Sequence, residues 1–164
     1  MKKQTRLPIA LTLAALLFVL LSTSSCSPAK KEGCTSPLAA NYDSDAEDDD
    51  GSCTYEGNEV FFWQQEFNDN CTDNEVSSIE LYVDGDLVGT IAVTATAFDH
   101  TPVCEEAGAF TLGSDLGTEP TKTYPLEARL LNSSGELKYT ISDNINLTGG
   151  SCATYEFESN QVSW

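Results

Sequence analysis

The side chains with the most chemical potential in this chain are the carboxylates that lie between Cys34 and Cys53. Hard cations such as Ca²⁺ take six to eight oxygen ligands, largely carboxylates and carbonyls from a tight turn. The segment has that density of oxygen, and Gly51 is placed to make the turn. The ligands predicted for a calcium ion are Asn41, Asp43, Asp49 and Asp50. The spacing does not follow the EF-hand pattern, so the alternative, a solvated acidic loop without metal, stays open.

A second group with chemical potential surrounds His100, the one histidine of the chain, which stands beside Asp99 and close to Glu105 and Glu106. A catalytic dyad is one interpretation, and an exposed polar loop residue is the other. Ser114 lies one place too early in Gly-Ser-Asp-Leu-Gly for a nucleophile elbow. No C-x-x-C or H-E-x-x-H spacing indicates zinc. We therefore predict that the protein is not an enzyme.

Aromatic residues offer a third kind of site. Trp63 or the terminal Trp164 could stack on a sugar ring if its face were exposed, as in carbohydrate-binding sandwiches. In the first strand, Phe61, Trp63 and Phe67 share one face while Val60 and Phe62 take the other, so we expect at least one face to be core. A frayed tail is expected at residues 159–164.

The charge balance excludes a nucleic-acid partner. The chain carries 26 Asp and Glu against 8 Lys and Arg, for a formal net charge of −18. Binding to phosphates needs clusters of Lys and Arg. The simplest interpretation of such acidity is a solvated surface whose like charges repel one another.

The N-terminal segment predicts export and a lipid anchor. Lys2, Lys3 and Arg6 precede a fifteen-residue, mainly apolar run at residues 7–21, which is shorter than the ~20 residues of a spanning helix. Small polar residues then lead into Cys26, and the whole resembles the lipobox of a bacterial lipoprotein, with Thr23 in place of the usual Leu. The resemblance implies a signal peptide at residues 1–25, an acyl lipid on Cys26 and a tether at residues 26–32. The location it implies is the outer membrane, with the protein facing either the medium or the periplasm.

Six cysteines in an exported chain predict disulfides. Lipidation of Cys26 leaves five, so at least one thiol lacks an intramolecular partner. Cys34 and Cys53 bracket a polar, turn-rich segment, and closing such a loop is worth roughly 3 kcal/mol in the chain-entropy model. We predict that these two are paired.

Residues 33–57 read GCTSPLAANYDSDAEDDDGSCTYEG. The succession of Gly-Cys, Pro and Ala, Asn-Tyr-Asp and Asp-Asp-Gly-Ser-Cys resembles a short module of secreted and surface proteins of Gram-negative bacteria. The resemblance implies a spacer or accessory unit beside other domains.

Residues 58–158 show short alternating runs between turns, which predict an all-β fold: a single antiparallel β-sandwich of about seven strands. The clearest pair is the hairpin on either side of Asp84-Gly85-Asp86, which places alternate apolar side chains of both strands on one face. The predicted strands are 60–67, 79–83, 87–93, 109–112, 124–131, 137–147 and 153–157.

The hairpin sequence Tyr-Val-Asp-Gly at residues 82–85, followed by Gly89-Thr90, resembles PEGA-type and other prealbumin-like β-sandwiches. The resemblance implies a non-catalytic surface or accessory domain. The usual Pro-Gly before a later strand is missing, and three cysteines are added. If the strands simply alternate in direction, Cys71 and Cys104 lie at one end and are predicted to pair, with Cys152 free, buried or linked to another chain.

These observations predict a non-catalytic, lipid-anchored cell-envelope protein that presents a β-sandwich for interaction or adhesion with a protein partner. A carbohydrate-binding accessory lipoprotein is the alternative, and exposed aromatic residues in a row on one sheet would favour it.

Overall fold

Strands dominate the regular structure of the chain. The computed structural model describes residues 29–94 and 97–164, so Cys26 and the signal segment lie outside the described residues. The elements are β1 (Glu32–Gly33), β2 (Asp48–Asp49), β3 (Tyr55–Trp63), α1 (Gln65–Asp73), β4 (Ser78–Val83), β5 (Asp86–Ala92), β6 (Phe110–Gly117), β7 (Thr121–Leu131), β8 (Leu137–Thr148) and β9 (Cys152–Phe157), with a 3-10 helix at Ser159–Gln161.

Seven of these strands form two packed sheets, which confirms the all-β sandwich. One sheet has the order β6-β3-β9 and the other the order β5-β4-β7-β8, while β1 and β2 make a separate two-residue pair. The long strands pair in antiparallel fashion except β3 and β9, which run parallel. The sandwich is therefore not purely antiparallel, because the turn after β8 returns the chain to the other sheet in the direction of β3.

The predicted hairpin is present as β4 and β5. Ile79, Leu81 and Val83 are buried while the residues between them are half-buried, as the two-residue period of a strand requires. Gly89 of β5 is needed for close packing between the sheets, because a Cβ there would lie 2.4 Å from the ring of Phe110 on β6.

The first strand ends earlier than predicted. Residues 65–67 belong to α1 instead, since Gln, Glu, Asp and Asn are poor strand formers. Phe67 and Cys71, four residues apart, lie on one helix face and are buried. This i, i+4 pair is the signal in the sequence for the helix.

The second half of strand β3, residues 59–63, is buried on both faces. Tyr55, Glu59, Phe61 and Trp63 face the second sheet, and Val60 and Phe62, on the opposite side, are at most 2% exposed. The segment 97–109 covers these two side chains: the rings of Phe62 and Phe98 lie 6.4 Å apart, edge to face, and the Phe98 N–H donates to the Trp63 carbonyl at 2.9 Å. We call this segment the covering loop.

The Cys-framed segment packs onto the sandwich as part of one compact unit, residues 31–164. Cys34, Ala39, Cys53 and Tyr55 belong to the same buried cluster as the sandwich core. Strand β3 crosses the predicted boundary between residues 57 and 58. A Cβ at Gly149 would come within 2.6 Å of Tyr55, so glycine is required where the turn after β8 meets this segment.

Two disulfides are present among the described residues. Cys34–Cys53 confirms the prediction. The second joins Cys104 to Cys152, so the predicted Cys71–Cys104 pair is wrong. The prediction assumed that successive strands simply alternate in direction. Instead, α1 carries Cys71 into the core, and Cys152, which begins β9 beside Asn58, meets the covering loop. Closing this 48-residue separation is worth about 4 kcal/mol in the chain-entropy model.

The pairing predicts a specific alkylation pattern. With residues 29–164 in oxidising buffer, iodoacetamide should leave the native chain unlabelled and should label Cys71 after denaturation, because Cys71 is 0% exposed and burial raises its pKa to about 12. Peptide mapping by mass spectrometry should recover a linked peptide holding Cys104 and Cys152. A peptide linking Cys71 to Cys104 would contradict the structure.

Candidate interaction surface

The four predicted calcium ligands do not form one site. Each is engaged in the local fold instead: the Asn41 amide donates to the Ser52 carbonyl at 2.7 Å and accepts from the Thr54 N–H at 2.9 Å. Asp49 and Asp50 each accept a backbone N–H two residues further on, both at 2.9 Å. These are Asx turns, which shape the loop without a metal. Within residues 29–94 and 97–164, no group of three or more His, Cys, Asp and Glu side chains is placed to hold a metal ion.

The positive charge in this segment comes from Lys31. Its Nζ lies 2.8 Å from Asp43 Oδ2 and 3.7 Å from Asp45 Oδ2. The Lys31 carbonyl accepts from the Glu47 N–H at 2.8 Å, so the residue that was expected to belong to the tether joins the folded unit. The ammonium group holds the pKa of the Asp43 carboxyl below its usual value, and hydrogen bonding to Asp43 raises the pKa of Lys31.

We expect the melting midpoint of residues 29–164 to be the same in millimolar calcium and in chelator, because the carboxylates do not converge and Lys31 already neutralises part of their charge. Lys31→Gln should lower the midpoint, most strongly at low ionic strength where exposed charges are least screened. Lys138→Gln is the matched control for loss of a surface cation. A midpoint of the unsubstituted protein that rises with calcium would contradict this assignment.

His100 lies in the covering loop between two carboxylates. Its Nδ1 is 2.8 Å from Asp99 Oδ1 and its Nε2 is 2.9 Å from Glu106 Oε1. Hydrogen bonds to Asp99 and then Glu106 raise the pKa of His100. Since both ring nitrogens are occupied, neither is free to take a proton from a nucleophile. The second Glu106 oxygen accepts from the Val103 N–H at 3.0 Å, so the cluster shapes the loop.

The aromatic residues considered for sugar stacking are packed in the interior or against it. Trp63 is 3% exposed, and Phe61 and Phe67 are fully buried. Trp164 packs edge to face on Phe67 and Tyr139, and its Nε1 donates to the Ser159 carbonyl at 2.9 Å, so the C-terminal tail is folded rather than frayed. The exposed aromatic side chain among the described residues is Tyr42, which is isolated from these rings.

Among the described residues, one carboxyl side chain, Glu59, lies in the sandwich interior. It points from β3 toward the second sheet, is 3% exposed, and stands between Leu112 of β6 and Ala153 of β9 in the register. Desolvation raises its pKa to about 7. The carboxyl therefore holds its proton at a pH where a glutamate in the unfolded chain, with a pKa of 4.5, has lost it.

This difference predicts a pH dependence of stability. The folded state binds the extra proton, so the free energy of unfolding should fall as pH rises from about 4.5 to about 7, by at most about 3 kcal/mol. Glu59→Gln should flatten this part of the profile in chemical denaturation. Glu56→Gln, at an exposed position on the same strand, controls for the general loss of a carboxylate and should keep the slope. Equal slopes in the two variants would show that Glu59 is not responsible.

A cleft of about 530 Å³ lies between the end of α1, the end of β5 and the turn between β7 and β8. Part of its polar lining is used within the fold. The hydroxyls of Thr72 and Ser77 donate to backbone carbonyls, and the Asn132 amide oxygen accepts from the Ser134 and Glu136 N–H groups. The Asn68 Oδ1, also on the wall of the cleft, is buried and has no hydrogen-bond partner among the described residues.

The outer face of the four-stranded sheet is the large sheet surface that the described residues leave uncovered. We call it the outer platform. Its side chains are half-buried or exposed, in contrast to Val60 and Phe62 on the outer face of the other sheet. The residues used below to define it are Glu80, Tyr82, Pro125, Glu127, Arg129, Ser142 and Asn144.

At the centre of the outer platform, Arg129 lies over the ring of Tyr82, with its Cζ 4.2 Å from the ring centroid. Its Nε donates to Glu127 Oε1 at 2.5 Å, and the Tyr82 hydroxyl donates to Glu80 Oε2 at 2.9 Å. These contacts hold the two long side chains in place, so a partner would lose little side-chain entropy on ordering them. A depression of about 300 Å³ lies beside them, lined by Gly85, Pro125 and Ser142 among others.

This cluster was missed in the sequence because its four members come from two strands, β4 and β7, that are distant in sequence. The register places Tyr82 opposite Glu127 and Glu80 opposite Arg129. The one indication in the sequence was the alternation of polar and apolar residues along β7. Glu127 and Arg129 point to the outer face, and the residues between and beside them are buried: Leu126, Ala128 and Leu130. Tyr and Arg are the residue types that most often dominate protein interfaces.

The chain was compared with known proteins in three ways. No protein-family model, no curated protein and no solved structure matches it. None of the helices in the described part of the chain is long and apolar enough to cross a membrane.

Proposed function

We propose that this protein is a non-catalytic, lipid-anchored component of the bacterial outer membrane, and that its β-sandwich contacts a protein partner through the outer platform. The observation that carries the proposal is the contrast between the two outer sheet faces. The covering loop occupies one face, and the other presents an ordered Tyr82–Arg129 pair to solvent. A half-exposed arginine held on an aromatic ring is well suited to be an interface hot spot.

The cysteine pairing supports the anchor. Four of the five described cysteines are bonded to one another, and Cys71 is a buried free thiol. Two disulfides also suit an oxidising compartment outside the cytoplasm.

The alternative of carbohydrate binding receives no specific support. It rested on a row of exposed aromatic side chains on one sheet. On the outer platform, Tyr82 is the aromatic residue of the cluster, and the Arg129 guanidinium lies over its ring. That arrangement leaves less of the ring for a sugar and favours a protein contact.

A lipid anchor on Cys26 predicts the mass of the mature protein and its partitioning between detergent and water. Mature protein from cells that make the full chain should begin at Cys26 and carry the added mass of acyl chains, and it should partition into detergent. Cys26→Ser should abolish both. Mature protein of unmodified mass that stays in the aqueous phase would contradict the lipid anchor.

The platform is tested by photo-crosslinking in intact cells. A photoreactive phenylalanine analogue in place of Tyr82 should yield a discrete crosslinked species, and the same analogue at Val103, which is 67% exposed on the covering loop, should not. Arg129→Ala should weaken the crosslink at position 82, with Lys138→Ala as the matched control. Crosslinks that are absent at position 82, or equal at both positions, would remove the outer platform as the interface.

A further inference from the structure

Within residues 29–94 and 97–164, strand β5 differs from the other sheet edges in having no bridge on its outer side. The edge strand β8 is tied to the other sheet by Tyr155, whose hydroxyl donates to Asp143 at 3.1 Å. β9 is linked to the covering loop through Cys152, and β6 through the Thr111 hydroxyl, which accepts from the Glu105 N–H at 2.9 Å. For β5, every hydrogen bond found in the described residues goes to β4.

The residue types of β5 leave this edge open. Its sequence, DLVGTIA, has no Lys and no Pro, the residues that natural proteins use to prevent strand addition at an edge. Leu87 is 53% exposed and lies directly opposite Tyr82 in the register. The edge is therefore continuous with the outer platform.

The charge on the β4–β5 hairpin itself is negative, and Lys122 of β7 is a cation that interacts with Asp84. Asp84 and Asp86 are exposed in the turn that begins the strand, and residues 78–92 contain no Lys or Arg. A second copy of this chain would bring the same net charge of −18 against it. A cationic segment would instead be attracted, because complementary charge speeds and favours association.

We propose that β5 accepts an extended, Lys- or Arg-bearing peptide segment of a partner as a fifth strand of the four-stranded sheet. Backbone hydrogen bonds along β5 supply affinity, and an apolar side chain of the added strand packs on Leu87 and Tyr82. The basic side chains face Asp84 and Asp86. This inference rests on the proposed protein contact and adds the binding mode and the chemistry of the partner.

Three synthetic peptides test the proposal on residues 29–164, which retain the whole compact unit. (Val-Lys)₄ is cationic and can form a strand, its analogue methylated on every backbone nitrogen is cationic but has no N–H to donate to a strand, and (Val-Glu)₄ forms a strand but is anionic. We expect (Val-Lys)₄ alone to slow hydrogen exchange at the β5 amides that do not bond to β4. The amides of the β8 edge are the internal control and should not change.

Charge-removing variants give the second readout. Asp84→Asn combined with Asp86→Asn should weaken (Val-Lys)₄ binding by roughly threefold to tenfold at low salt, as expected for two exposed ion pairs. Glu56→Gln combined with Glu119→Gln removes two exposed charges outside β5 and should leave binding unchanged. Protection by the N-methylated peptide, protection at β8 instead of β5, a dimer formed without peptide, or no protection at all would each overturn the proposal. If one of these results is obtained while the crosslink at position 82 persists, the proposed protein contact through the outer platform is retained and only the proposal of strand addition at β5 is rejected.

Discussion

The structure depends on the burial of the second half of strand β3, residues 59–63, on both faces. A strand in a two-layer sandwich ordinarily needs apolar side chains on one face, but β3 carries Val60 and Phe62 on the side that would otherwise meet water. These side chains require a cover, which the covering loop supplies with Phe98 and the buried Pro102. The Cys104–Cys152 disulfide holds that loop to the end of the sheet. One outer face of the sandwich is therefore used by the fold itself.

The same strand links the rest of the molecule. Tyr55 at its start packs with the Cys-framed segment, and Trp63 at its end packs with Phe67 of α1. Glu59, between them, introduces a carboxyl into the interior at a cost in stability that grows with pH. With the second half of β3 enclosed by the covering loop, the four-stranded sheet provides the broader uncovered sheet surface among the described residues. Its Tyr82–Arg129 pair and its open edge at β5 belong to one continuous area.

Local patterns in the sequence were sufficient for much of this fold. Alternating apolar residues and the Asp-Gly turn located β4 and β5 within one residue, since hairpin pairing depends on neighbouring residues. Cys34 and Cys53 were identifiable because the segment between them has few apolar residues to stabilise it. Contacts distant in sequence could not be read in this way. The Cys104–Cys152 pair depends on the helix after β3, the parallel return of β9 and the path of the covering loop. The structure does not bring the four predicted calcium ligands together, because Asn41, Asp49 and Asp50 bond to nearby backbone groups, which oxygen density in the sequence does not reveal.

Hydroxyl-radical footprinting of oxidised residues 29–164 compares the two outer sheet faces most directly. In the intact protein, Tyr82 should be oxidised readily while Phe62 and Phe98 are protected. In the Cys104→Ser, Cys152→Ser double variant, oxidation of Phe62 and Phe98 should increase and that of Tyr82 should stay the same. If Phe62 of the intact protein is modified as fast as Tyr82, the three-stranded sheet is not covered, and the assignment of the four-stranded sheet as the interaction surface fails.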